Sequence, residues 1–122
     1  MPQHYIQELS ARGVEVMEFE DLREVAERVD VVYSTRLQKE YFEDEGDYES
    51  AKGLYVLSDE LRASLKGSAI IMHPLPRLEE IPFAVDADPR ARYFNQVKNV
   101  LYVRMALLDI IFNGYSTAFS AI

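Results

Sequence analysis

Two short apolar runs, Val31-Val32-Tyr33 and Ala69-Ile70-Ile71-Met72, constrain the fold more than any other feature of the chain. Neither alternates apolar with polar residues, which is the pattern of strands covered on both faces, and such strands belong to parallel sheets. Parallel neighbours need a crossover between them, normally a helix, and it is right-handed. Ser58 offers the cap of that helix, Asp59 and Glu60 are favourable charges in its first turn, and it ends near Gly67. Before it, Leu54-Tyr55-Val56-Leu57 reads as a strand, and so does Val14-Glu15-Val16-Met17-Glu18-Phe19, rich in strand formers. Asp21, with Glu24 three residues on, caps a helix with Leu22, Val25, Ala26 and Val29 on its apolar face and an end near Asp30. A first short helix starts at Pro2 and stops at Gly13. The expected class is three-layer α/β with a parallel sheet and a long C-terminal helix. The ligand crevice of such a sheet lies outside the carboxyl ends of its strands, so segments 34–38 and 73–77 should meet at one edge.

The 122 residues suit one domain, and 48% of them are hydrophobic, enough for a core. Thirteen Lys and Arg against 21 Asp and Glu leave a net charge of -8, which repels phosphate backbones and anionic lipid and excludes nucleic acid and membrane as partners. Without cysteine there is no disulfide, thiolate catalyst or sulfur-ligated metal, and the chain fits a reducing cytoplasm. The opening residues lack the order of a signal peptide. Val100 to Phe112 is apolar except at Arg104 and Asp109 and too short to span a bilayer. A helix apolar around most of its girth is buried from several sides, either as a core helix or as one made to pack on another domain or subunit. Residues 113–122 read as a flexible tail.

Two segments carry chemistry. In Thr35-Arg36-Leu37-Gln38-Lys39, at a strand's carboxyl end, Arg36 offers a guanidinium fork for a carboxylate, and Gln38 an amide on the same side of an extended chain. A surface Arg with an ion-pair partner accounts for the same residues. In His73-Pro74-Leu75-Pro76-Arg77, two prolines remove backbone donors and leave the carbonyls of Pro74 and Leu75 as acceptors for an ammonium or amide group. A stiff connecting turn, with His73 as a hydrogen-bonded structural residue, is the other reading. No metal ligands, cofactor or catalytic residues are assigned.

The segments MPQHYIQELSARGVEV, VDVVYSTRLQKEYF and IIMHPLPRLEEIPFAVDADPRARYFNQVKNVLYVRMALL, in this order and at these spacings, resemble the C-terminal half of aspartate carbamoyltransferases over nearly the whole chain. Related ornithine enzymes typically carry a cysteine in the HCLP loop, whereas this chain has His73-Pro74-Leu75-Pro76. The resemblance implies a partial, Rossmann-like aspartate-binding domain over 1–122 from an enzyme of pyrimidine biosynthesis that joins carbamoyl phosphate and L-aspartate into N-carbamoyl-L-aspartate. It implies that Arg36 and Gln38 hold the side-chain carboxylate of aspartate. The carbonyls of Pro74 and Leu75 would meet the attacking amino group, with the Leu75–Pro76 bond cis. The acidic segment Glu43 to Glu49 would match a mobile loop that reorients as two domains close, or be a solvated charge run. The family's phosphate loop, the His and Arg that polarise the carbonyl, and the Arg for the α-carboxylate have no counterpart here, so the chain alone is expected to be inactive. Asn99-Val100 departs from the family's usual Asn-Gly, which puts a close backbone approach there in doubt. The expected partners are L-aspartate, a carbamoyl phosphate domain or full-length catalytic chain, and further copies in a homo-oligomer. A non-catalytic binding or regulatory module and an assembly module derived from the enzyme remain the alternatives.

Overall fold

The computed structural model describes residues 2–53 and 55–114. Its helices are α1 (Gln3–Ala11), α2 (Glu45–Lys52), α3 (Asp59–Ser64) and α4 (Tyr93–Asn113), and its strands are β1 (Val31–Tyr33) and β2 (Ile70–Met72). Single 3-10 turns occupy Leu22–Glu24 and Lys39–Tyr41, and a longer one Phe83–Ala87. The class is α/β, as expected from the two apolar runs.

β1 and β2 pair in parallel, with Val31 opposite Ile70 and Tyr33 opposite Met72. The ladder continues past both ends, through Ile70 N to Asp30 O and Ser34 N to Met72 O, each 2.9 Å. On its other side β2 takes a parallel bridge to Ala91, made by Ile71 N to Arg90 O (2.9 Å) and Arg92 N to Ile71 O (2.8 Å). Ile71 is thus held from both sides and is completely buried. Around it the core collects Val32, α3's Leu61, Ile81, Val85 and the first residue of α4, Tyr93. Arg90 ties this third rung to the end of α3: it grips Asp88 with two nitrogens (2.8 and 2.9 Å) and donates to the carbonyls of Leu65 and Lys66.

Helix ends follow local chemistry. Ser58 Oγ accepts from Leu61 N at 3.2 Å, the cap expected for α3. α1 closes with Gly13 at φ +78°, Gly13 N on Ser10 O and Val14 N on Leu9 O. This paired-carbonyl stop needs a left-handed residue, which glycine adopts without strain.

Five sequence expectations give way. Segment 14–19 forms no strand, because no neighbouring strand offers it a ladder, and Val14, Met17 and Phe19 stay about half exposed. The helix expected to Asp30 shrinks to the turn at Leu22–Glu24, since only Ala26 of its apolar face is fully buried and a helix this short needs packing to persist. Tyr55 to Leu57 is no strand, because Leu57 N donates to the loop carbonyl of Glu80 at 2.9 Å; Leu54 lies outside the described residues. The acidic segment is largely helical: Asp44 caps α2, accepting from Gly46 N, and Lys39 pairs with Glu45. α4 also starts earlier than Val100, at Tyr93. Of the expected tail, Asn113 ends α4 and Gly114 follows it, while residues 115–122 lie outside the described residues. Among the described residues no helix is long and apolar enough to cross a membrane.

Candidate functional site

The parallel register sends the chain out of β1 and β2 in the same direction, so Ser34–Gln38 and His73–Arg77 both leave the carboxyl edge of the sheet. Ser34, the first residue of the first segment, donates its backbone N–H to the carbonyl of Met72, directly before the second. Gln96, in the first turns of α4, reinforces the junction: its Oε1 accepts from His73 N and its Nε2 donates to the Tyr33 hydroxyl, both at 3.0 Å. The segment that carries Arg36 and Gln38 and the one that carries Pro74 and Leu75 therefore start from one edge, and α4 clamps them at their roots.

Arg36 is 40% exposed, and its only close ion partner among the described residues is Glu40, at 3.7 Å on the following turn. A contact this long and this exposed is weak, so the guanidinium remains accessible to a ligand carboxylate. Arg36 lines a largely apolar cleft of about 520 Å³ together with Phe19, Tyr33, Tyr55 and Leu78. Gln38, Pro74 and Leu75 do not line it. Gln38 is exposed and begins the turn at Lys39–Tyr41, Pro74 is exposed, and the Leu75 side chain packs against the core.

The 73–77 loop is held from beneath. Leu75 sits at φ +54°, a left-handed conformation uncommon for a branched residue, and the Leu75–Pro76 bond is cis, as the family resemblance implies. Leu75 N donates to His73 Nδ1 at 2.9 Å. An amide can only donate, so Nδ1 is the acceptor and Nε2 carries the hydrogen that reaches Glu80 Oε1, 2.9 Å away. The same carboxylate oxygen accepts from Leu78 N at 3.0 Å. His73 is fully buried and Glu80 7% exposed, so this is an internal brace beneath the Pro74 and Leu75 carbonyls. His73 fits the structural reading of its motif.

Arg77 ends the loop in a second brace. Its guanidinium pairs with both oxygens of Asp86 (2.7 Å from Nη2 to Oδ2), meets the Tyr93 hydroxyl at 3.1 Å and lies 4.6 Å from the centre of the Phe83 ring. The Tyr93 hydroxyl also donates to Asp86. Hydrogen bonds from Arg77 and Tyr93 hold the Asp86 carboxyl down at about 2, while burial, then Asp86, pushes the Tyr93 phenol up to about 12. With both terminal nitrogens bonded to Asp86 and its side chain 10% exposed, Arg77 is a strut, unlike Arg36. Glu80, Gln96, Asp86 and Tyr93 were not assigned from the sequence. Their letters belong to the motif that carries the resemblance, but only the folded contacts give each one a task. Among the described residues no group of three or more His, Cys, Asp or Glu could hold a metal ion.

Residues 2–111 match the family described as aspartate/ornithine carbamoyltransferase, Asp/Orn binding domain. The chain is 53% identical over 108 residues to the chloroplastic aspartate carbamoyltransferase of Arabidopsis thaliana, an alignment covering 88% of this chain and 28% of that protein. It is similar in structure to the catalytic subunit of M. jannaschii aspartate transcarbamoylase, with a TM-score of 0.83 at 39% identity, covering 94% of this chain and 38% of that one. It is also similar to the Trypanosoma cruzi aspartate transcarbamoylase solved with carbamoyl phosphate and aspartate, with a TM-score of 0.75 at 36% identity, covering 87% and 35%. The chain thus spans roughly a third of the length of these relatives.

Proposed function

The chain belongs to the aspartate/ornithine carbamoyltransferase family, and we propose that it is the part of such an enzyme that holds L-aspartate for attack on carbamoyl phosphate. The observation that carries this reading is the parallel, in-register pairing of β1 and β2, which brings the Arg36 segment and the Pro74–Leu75 segment to one edge. On this reading the Arg36 fork and the Gln38 amide grip the side-chain carboxylate, and the carbonyls of Pro74 and Leu75 accept hydrogens from the amino group. The uncharged amino nitrogen forms a bond to the carbamoyl carbon, the bond from that carbon to the phosphate oxygen breaks with its electron pair leaving on phosphate, and the proton the nitrogen sheds goes to the departing phosphate. Acceptor carbonyls suit a nitrogen that gains positive charge as it attacks. The trypanosomal relative, solved with both substrates, supports the same pair of ligands.

Carbamoyl phosphate binding is assigned to a carbamoyl phosphate domain, outside the third of these relatives that this chain matches. Self-association into a homo-oligomer and a cytoplasmic setting complete the reading; the first rests on the exposed helix α4, the second on the absence of cysteine. That same exposed helix favours an assembly module as the second reading.

The test is an assay of carbamoyl aspartate formation by the chain alone and after fusion to a carbamoyl phosphate-binding domain. No product from the lone chain, and turnover from the fusion that Arg36→Ala suppresses, is the expected result. Steady turnover by the lone chain that vanishes on Arg36→Ala would overturn the division of labour; a fusion indifferent to Arg36 would overturn the site.

A further inference from the structure

Between Pro74 and Pro76 the loop has a single backbone N–H, that of Leu75, because neither proline carries one. Leu75 donates it inward, to Nδ1 of the completely buried His73 at 2.9 Å. The Pro74–Leu75 peptide is trans and planar, so its carbonyl points the opposite way from its N–H. The bond to His73 therefore turns the Pro74 carbonyl away from the core. Pro74 is exposed, and among the described residues nothing donates to its oxygen or to that of Leu75. Outward, this stretch of loop offers acceptors and no donor, the surface an amino group can bond and an N–H would oppose.

The aim of that carbonyl depends on a bare nitrogen at Nδ1. His73 is held at both ends: its backbone N donates to Gln96 Oε1 at 3.0 Å, and its Nε2 lies 2.9 Å from Glu80 Oε1. Glu80 Oε1 already accepts from Leu78 N at 3.0 Å, so it is an acceptor for the imidazole too, and the ring hydrogen stays on Nε2. The other tautomer would set Nδ1–H against Leu75 N–H, donor against donor, and release the peptide plane. Glu80 is anchored in turn through its own carbonyl, which accepts from the N–H of buried Leu57 at 2.9 Å. Leu75 sits at φ +54°, which a branched residue keeps only where its surroundings hold it.

We propose that His73 is a positioning residue of the transfer reaction: its Nδ1, kept bare by Glu80, aims the Pro74 carbonyl at the amino nitrogen of aspartate. His73 itself touches no substrate. The assignment rests on the functional reading above and adds the cause that fixes one acceptor's direction. On that reading Arg36 and Gln38 grip the side-chain carboxylate however the carbonyl is turned, so a lost aim costs rate more than affinity.

Two substitutions separate the two ends of the imidazole. In His73→Asn the side-chain oxygen stands where Nδ1 stands and accepts from the amide two residues on, as in an Asx turn, while the Nε2 end is lost. His73→Gln reaches Glu80 with its amide N–H and has no acceptor left for Leu75. NMR of the 122-residue chain, without substrate, should show the His73 ring hydrogen on Nε2 and slow exchange of the Leu75 amide in the parent. That exchange should stay slow in His73→Asn and become fast in His73→Gln. In the fusion to a carbamoyl phosphate-binding domain, His73→Gln should lower kcat about 10- to 100-fold while KM for aspartate changes less than about threefold. His73→Asn should recover most of that loss. A parent with the ring hydrogen on Nδ1, or with a fast Leu75 amide, would overturn the proposal before any variant is made. His73→Gln with the parent's kcat, or both variants losing kcat in step with their thermal midpoints, would overturn the positioning role and leave the aspartate reading standing. A parent fusion indifferent to Arg36→Ala would overturn the aspartate reading, and the positioning role with it, even with the hydrogen bond to His73 intact.

Discussion

At the residue scale, Glu80 and Asp88 carry more of the structure than their exposed counterparts. Glu80 receives both the buried His73 Nε2–H and the Leu78 amide. Glu80→Ala leaves both donors without an acceptor, at about 1–3 kcal/mol for each orphaned group, so urea denaturation should show a loss of about 2–6 kcal/mol. Glu80→Gln keeps an oxygen in place and should cost well under half of that. Acid should act through the paired aspartates. Asp86 and Asp88 are both held at about 2 against an ordinary 3.8, chiefly by side-chain hydrogen bonds, from Arg77 and Tyr93 to the first and from Arg90 to the second. A depressed carboxyl contributes stability that is complete above the unfolded value and is lost as pH falls through the folded one. The thermal midpoint should therefore decline between about pH 4 and pH 2, and the decline should shrink in Asp88→Asn. Asp88 is the stronger contributor, because its side chain is 7% exposed and that of Asp86 34%. Tyr93, pushed up to about 12, adds the mirror effect: its contribution is whole below about pH 10 and disappears as pH rises through 12.

At the scale of elements, two three-residue strands are too short to stand alone. β1 and β2 persist because Ile71 is bonded to Ala91's neighbours on one side and paired within β1's ladder on the other, beneath the first turn of α4. Ile71 is the test residue: fully buried, it should cost about 2–5 kcal/mol as Ile71→Ala and about 0.5–1.5 kcal/mol as Ile71→Val, both read by urea denaturation. An Ile71→Ala chain as stable as its parent would show that the sheet is not the centre of the core. Caps were legible from the sequence: Ser58 and Gly13 do what their residue types predict. Segments 14–19 and 55–57 were not, because strand propensity acts only where a neighbouring ladder is available. In α2 the Asp44 cap is local chemistry, but Gly46, Asp47, Tyr48 and Ser50 behind it are weak helix formers, which is why the acidic run reads as a loop.

At the scale of the whole molecule, the balance is between one compact body and one helix that the body does not cover. On the proposed reading the transfer needs two substrates at one edge, and Arg36, Gln38, Pro74 and Leu75 serve one of them. In the fusion assay, loss of the charge-assisted contact at Arg36 should lower kcat/KM for aspartate by roughly 10- to 150-fold, the worth of about 1.5–3 kcal/mol, with a smaller loss for Gln38→Ala. The composition and the two apolar runs determined the class of fold, the parallel sense of the sheet and the edge to which Arg36, Gln38, Pro74 and Leu75 belong, because strand burial and crossover handedness are local rules with few solutions. The 13-residue apolar run signalled a helix that wants neighbours on several sides, since no polar face exists along it. What only the tertiary structure decided was which polar residues brace the site. That His73 leans on Glu80, that Gln96 joins the roots of both segments, and that Arg77 is spent on Asp86 while Arg36 stays open depend on distances between residues far apart in the chain. Side-chain identity limits what each group can donate or accept; packing alone chooses the partner.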